Sequence, residues 1–91
     1  MDKSITSQEY GVFLRELRAA RKRSGLTQVD LAACLGETQS FISKCERGER
    51  RLDVAELRAF CRAIGLSLPA FVQHLERVLT AEIRAAGRRR G

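Results

Sequence analysis

Residues 27–48 run Thr27-Gln28-Val29-Asp30-Leu31-Ala32-Ala33-Cys34-Leu35-Gly36-Glu37-Thr38-Gln39-Ser40-Phe41-Ile42-Ser43-Lys44-Cys45-Glu46-Arg47-Gly48, and their punctuation decides the fold. Thr27 stands as the N-cap of a helix, Asp30 suits its positive end, and Leu31, Ala32 and Leu35 face inward until Gly36. Thr38 then caps another helix whose Ile42 and Cys45 point inward and whose end Gly48 marks. Each is only about two turns long, too short to repay helix nucleation alone, so tertiary packing must hold both as one unit. Counted from Gln28, the fourth, fifth, eighth, ninth, fifteenth and eighteenth positions are Leu31, Ala32, Leu35, Gly36, Ile42 and Cys45. A small residue lets two helices cross closely, glycine accepts the positive φ of a turn, and an apolar residue clamps the second helix to a core.

The flanks continue the helical pattern. A first helix runs from about Ser7 to Arg23, with Tyr10, Phe13, Leu14 and Leu17 on one stripe and Ser24-Gly25 as its stop. Four residues beyond Leu17 the stripe lands on Arg21, a charge that needs a partner if it faces a core. After the polar connection Glu49-Arg50-Arg51, a fourth helix spans Asp53 to about Ile64 and stops at Gly65. A fifth begins at Leu68, with Pro69 in its first turn and Leu68, Phe71, Val72, Leu75, Val78, Leu79 and Ile83 along one face. No segment alternates with the two-residue period of a strand, so the fold class is all-α, a five-helix bundle. Residues 1–86 read as a single domain, and residues 87–91, without apolar content, as a disordered basic tail.

Composition narrows the function classes. Ninety-one residues allow one modest core but no deep cleft between lobes. Cys34, Cys45 and Cys61 are too widely spaced for a zinc site or a disulfide framework. Cys45 and Cys61 fall on apolar faces as small core residues, and Cys34 is left open. No metal and no cofactor is expected. His74 has no nucleophile or carboxylate constellation around it in sequence and reads as a surface residue, so the chain does not read as an enzyme. Neither a membrane span nor a secretory leader is evident, which gives the expectation of a cytoplasmic protein without a membrane partner.

The net charge of +6 invites a polyanion, but its location matters more. Residues 1–26 carry six basic and three acidic side chains, residues 27–51 four of each, and residues 52–91 seven and four. The two-helix unit is therefore formally neutral, and its motif has to carry the functional reading.

That motif resembles the phage-repressor (Xre-type) helix-turn-helix family, which includes lambdoid repressors and restriction-modification controller proteins. Thr27-Gln28-Val29-Asp30-Leu31-Ala32, Thr38-Gln39-Ser40-Phe41-Ile42-Ser43-Lys44 and Glu46-Arg47-Gly48 carry the resemblance, which extends over roughly residues 10–75. It implies a lambda-repressor-like five-helix domain that binds double-stranded DNA, usually a palindromic operator, as a two-fold dimer of bacterial or phage origin acting at the nucleoid.

The resemblance also implies roles. The third helix would lie in the major groove, with Gln39, Ser40, Ser43 and Lys44 at base-reading positions. A glutamine amide suits adenine N6 and N7, and a lysine suits guanine O6 and N7. Thr27 and Gln28, at a helix N-terminus, match phosphate positions. Arg47, Arg50 and Arg51 are either phosphate contacts or a solvated loop. Arg21 and Glu46 stand where the family pairs an arginine with a glutamate, a structural ion pair. Phe41 departs from the small or polar residue common at its position, and reads as packing over the turn rather than against a thymine methyl.

A domain of this kind needs only about two turns of its last helix to close the core, so Leu75, Val78, Leu79 and Ile83 form a surplus apolar face for a homodimer. No small-molecule ligand is expected. The alternative is an antitoxin-like or adaptor module on the same fold, with secondary or no DNA binding. The Arg88–Arg90 tail either reaches DNA or is solvated.

Overall fold

The computed structural model describes the backbone of residues 7–90 and the side chains of residues 7–87. Five helices follow one another: α1 (Ser7–Arg23), α2 (Gln28–Leu35), α3 (Gln39–Glu46), α4 (Val54–Ile64) and α5 (Leu68–Arg90), with no strand among the described residues. The caps account for the boundaries. Thr27 Oγ1 accepts from the Asp30 N–H at 3.0 Å while Asp30 Oδ2 accepts from the Thr27 N–H at 2.9 Å, a reciprocal pair that satisfies two otherwise orphaned donors at the start of α2. Asp53 and Glu56 do the same for α4, and Thr38 Oγ1 accepts from the Phe41 N–H at the start of α3.

Two glycines set the geometry around α3. Gly36, at φ 68°, ends α2 in the left-handed region, so the chain can turn straight into Thr38. Gly48, at φ 81°, turns the chain after α3, and a Cβ there would stand 3.2 Å from Leu14 Cδ1 of α1. Neither backbone conformation suits an L side chain.

Leu17, Ala20, Leu31, Ala32, Ile42, Cys45, Phe60, Cys61, Ile64 and Phe71 form one buried cluster to which all five helices contribute. The short α2 lies between α3 and α4, and α1 packs against α3 and α5. Ile42 and Cys45 are fully buried, which anchors α3 by one face and leaves the other free. Cys45 and Cys61 behave as small apolar residues whose thiols burial pushes up, whereas Cys34 is exposed.

The fifth helix departs from the sequence reading at three points. Its backbone stays helical through Gly87 to Arg90, where the sequence pattern set a disordered tail from residue 87. One glycine costs a helix only about 1 kcal/mol, and arginines are good helix formers that suit the negative end of the helix dipole. The side chains of Arg88–Arg90, and Gly91 entirely, lie outside the described residues, and with them the question of a DNA-reaching tail. Val72 and Ile83, placed on the apolar face, are 46 % and 61 % exposed. Finally, His74 is not a free surface residue: its Nε2 lies 2.7 Å from Glu16 Oε1, half-buried between α5 and α1. A second tie, Arg15 Nη2 to Glu82 Oε2 at 2.6 Å, holds the same pair of helices one stage further along. No helix among the described residues is long and apolar enough to cross a membrane.

Candidate nucleic-acid interface

With Ile42 and Cys45 turned into the core, helical spacing puts Ser40 and Lys44 on the opposite side of α3 with Ser43 beside them, and Gln39 stands at the flank of the first turn. Gln39, Ser40 and Lys44 are exposed there, and Ser43 is half-buried, its hydroxyl accepting from Arg47 Nη1. Phe41 is partly buried against the core cluster, and the Arg50 guanidinium covers its ring at 4.8 Å from the ring centre. In the free protein Phe41 therefore packs between the core and Arg50.

Behind this surface sits the Arg21–Glu46 pair expected from the stranded charge on α1. Arg21 Nε and Nη2 donate to the two Glu46 oxygens at 2.6 and 3.0 Å, and the side chains are 7 % and 5 % exposed. Arg21 Nη1 donates in addition to the Leu26 carbonyl at 2.9 Å, fixing the chain that leads into α2. Burial alone would raise the Glu46 carboxyl, but the hydrogen bonds from Arg21 and Gln28, with the charges of Arg21 and Arg18, hold it below the usual range. The pair continues outward in a way the sequence did not announce. Gln28 Nε2 donates to Glu46 Oε1 at 3.0 Å, and Gln39 Nε2 donates to Gln28 Oε1 at 2.9 Å.

The cations divide into committed and free. Arg50 donates to both Glu56 oxygens at 3.0 and 2.8 Å and to the Arg51 carbonyl. Arg51 stacks over Tyr10, 4.2 Å from the ring centre, and the Tyr10 hydroxyl accepts from the Leu52 N–H. Arg50 thus ties the loop before α4 to Glu56 and to Phe41 of α3, and Arg51 braces the same loop against α1, a role beyond the two read from sequence. Arg47 pairs with Glu49 at 2.8 Å, both well exposed. Among the described residues Lys22 and Lys44 enter no ion pair.

Lys22 was not singled out from the sequence. It lines an open groove of about 490 Å³ together with Thr27, Gln28, Val29 and Gln39. Its signal was present: Lys22 lies with Arg21 and Arg23 in the last turn of α1, shortly before Thr27, the N-cap of α2. Thr27 spends its hydroxyl oxygen as an acceptor for Asp30 and retains the O–H to donate.

On the far side, Leu75, Val78 and Leu79 are half-buried and Ile83 is exposed. Val12 of α1 joins Leu79, Ile83 and Ala86 in lining a groove of about 250 Å³. The apolar face of α5 thus forms one wall of a groove whose other wall is α1, and Ile83 is the most exposed of the four.

The chain matches the family model of a helix-turn-helix domain over residues 9–75. An XRE-family like protein from Pseudomonas syringae pv. tomato str. DC3000 is 47% identical and superposes with a TM-score of 0.77, covering 81% of this chain and 90% of that one. A mutant form of the restriction-modification controller protein C.Esp1396I shares the fold at 24% identity, with a TM-score of 0.75 over 81% of this chain and 99% of the other. The clp gene regulator ClgR from Corynebacterium glutamicum does so at 21% identity and a TM-score of 0.75, over 90% of this chain and 87% of its own. No curated protein matches the sequence. The family match over most of the length, together with the 47% identity to an XRE-family protein, places this chain in the Xre-type helix-turn-helix family of DNA-binding transcription regulators.

Proposed function

We propose that this chain is a sequence-specific regulator that binds a palindromic operator in double-stranded DNA as a homodimer, with α3 in the major groove. The observation that carries the reading is the two-faced character of α3: Ile42 and Cys45 fully buried, Gln39, Ser40 and Lys44 exposed. These three offer amide, hydroxyl and ammonium groups, which match the base-edge chemistry of the major groove. Thr27, Gln28 and the first N–H groups of α2 grip a phosphate, and Lys22 adds charge beside them. Arg47 exchanges Glu49 for a phosphate. Arg50 and Arg51 hold the loop in place. Neither a small-molecule ligand nor a cofactor enters this account, and control lies in protein concentration and operator position.

Dimerisation uses the second half of α5, where Leu75 still packs against the core and Val78, Leu79 and exposed Ile83 continue the apolar face beyond it. An isologous contact there gives the two-fold symmetry that a palindromic site requires, with reading helices about 34 Å apart. The adaptor or antitoxin-like alternative draws support from the formally neutral reading unit and the apolar groove along α5. Retention of random genomic fragments as salt rises separates the two. A specific regulator keeps a few fragments after bulk DNA is released, and an adaptor releases everything at once.

A further inference from the structure

We infer that the linked side chains of His74, Glu16, Arg15 and Glu82 set the angle at which α5 leaves the domain, and so fix the half-site spacing that the dimer accepts on DNA. The inference rests on the proposed reading of α3 as the DNA helix and of α5 as the dimer contact. It begins where the core stops. Phe71 is buried and Leu75 still packs on the core cluster, but the helix runs on to Arg90. Beyond Leu75 the two helices part: Val12 of α1 faces Leu79, Ile83 and Ala86 of α5 across an open groove. Close packing fixes an angle only where side chains interdigitate, so the core holds the first turns of α5 and not the later ones.

Two polar ties span the gap. His74 Nε2 lies 2.7 Å from Glu16 Oε1, and Arg15 Nη2 donates to Glu82 Oε2 at 2.6 Å. Arg15 Nε also donates to Glu16 Oε2 at 3.1 Å, so the four side chains are joined in one series. On α1 its members are neighbours, whereas His74 and Glu82 stand about 12 Å apart along α5. One anchor on α1 is thus braced to two points on α5, which fixes a direction and not merely a distance. None of the four belongs to the core cluster, and none is among the proposed DNA contacts.

The angle matters because α1 joins the two working ends of the domain. Its last turns are locked to α3 by the Arg21–Glu46 pair, and its middle is locked to α5 by this series. The path between reading helices therefore runs from α3 through α1 to α5, and back through the second copy. A change of about 10° between α1 and α5, carried over the roughly 25 Å of α1, displaces α3 by about 4 Å, close to one base-pair step. Exposed ion pairs add little to stability, so cutting them widens the range of angles and leaves the fold in place. Arg15, Glu16, His74 and Glu82 are positioning residues that act on DNA through the placement of α3.

The test measures affinity for duplexes that carry two copies of the selected half-site, with the centre lengthened or shortened by one and two base pairs. Wild type is expected to prefer one spacing by about tenfold or more. Glu82→Arg, which sets two cations against each other, should narrow that preference to about threefold, with base preferences inside each half-site and the melting temperature close to wild type. His74→Leu, which cuts the other tie, should broaden the profile in the same sense. Arg15→Glu combined with Glu82→Arg remakes the tie with its charges exchanged, and should restore the preference. A Glu82→Arg variant with the wild-type profile overturns the inference, as does a profile that the paired exchange leaves broad. Broadening confined to variants that sediment as monomers overturns it equally. Wild type that binds one half-site as tightly as two overturns the dimer reading itself, and the inference with it.

Discussion

Arg21 and Glu46, 25 positions apart, meet as a two-point ion pair at 2.6 and 3.0 Å that is almost wholly sealed from solvent. Removing one member strands the other charge in the core. Arg21→Met is expected to cost about 3–5 kcal/mol, read as a lower urea midpoint with unchanged slope. The double variant Arg21→Met, Glu46→Met should recover most of that loss, because an apolar pair of similar volume needs no compensation. A double variant as unstable as the single one would contradict the pair's burial.

Acid stability follows from the same carboxylate and from Glu16, whose hydrogen bond to His74 is the largest cause of its lowered value. Both groups sit below the ordinary 4.5 when folded. Their contribution is therefore complete above about pH 4.5 and is lost as the pH falls through the folded values, since protons then bind the unfolded chain more readily. The urea midpoint should decline below about pH 4.5 on their account. Glu46→Gln and Glu16→Gln should each flatten that decline, and an acid limb unchanged in both variants would rule these groups out as its source.

What the sequence made legible was local chemistry and one buried charge. Thr27 and Thr38 as caps, with Gly36 and Gly65 as stops, fix their helices through contacts a few residues long, whereas Asp53, read as the first residue of the fourth helix, is its cap. Arg21 drew attention because its helical phase aimed it inward, and a buried charge must be paired. The relay through Gln28 to Gln39, the Glu56 clamp on Arg50 and the His74–Glu16 contact were not legible. Periodicity gives the face on which a side chain lies, whereas these partners depend on how helices cross, and His74 and Glu16 are 58 positions apart. The groove that Val12 of α1 forms with Leu79 and Ile83 of α5 was not legible for the same reason.

Salt dependence separates free cations from committed ones. Lys22→Ala is expected to reduce the magnitude of the log-affinity against log-salt slope by about 0.9, the value for one phosphate contact on duplex DNA. Arg50→Ala should leave that slope unchanged and instead lower thermal stability, because Arg50 is spent on Glu56 and the Arg51 carbonyl. Equal slopes for wild type and Lys22→Ala would remove Lys22 from the interface.

The dimer can be broken without touching the core. Ile83 is 61% exposed, so Ile83→Asp should leave the melting temperature of the monomer fold close to wild type. Sedimentation at tens of micromolar is expected to show a dimer for wild type and a monomer for the variant. Wild type that sediments only as monomer, with and without DNA, would contradict this use of α5.

The central claim is that the exposed face of α3 reads base sequence. It is tested most directly by selecting from a randomised duplex pool with wild type and with Gln39→Ala, Lys44→Ala, whose altered positions are exposed and carry no part of the core. Wild type should enrich a motif repeated with two-fold symmetry about one helical turn apart, and the double variant should lose the motif while still binding bulk DNA at low salt. Enrichment of the same motif by both proteins, or of none by wild type, would contradict the claim.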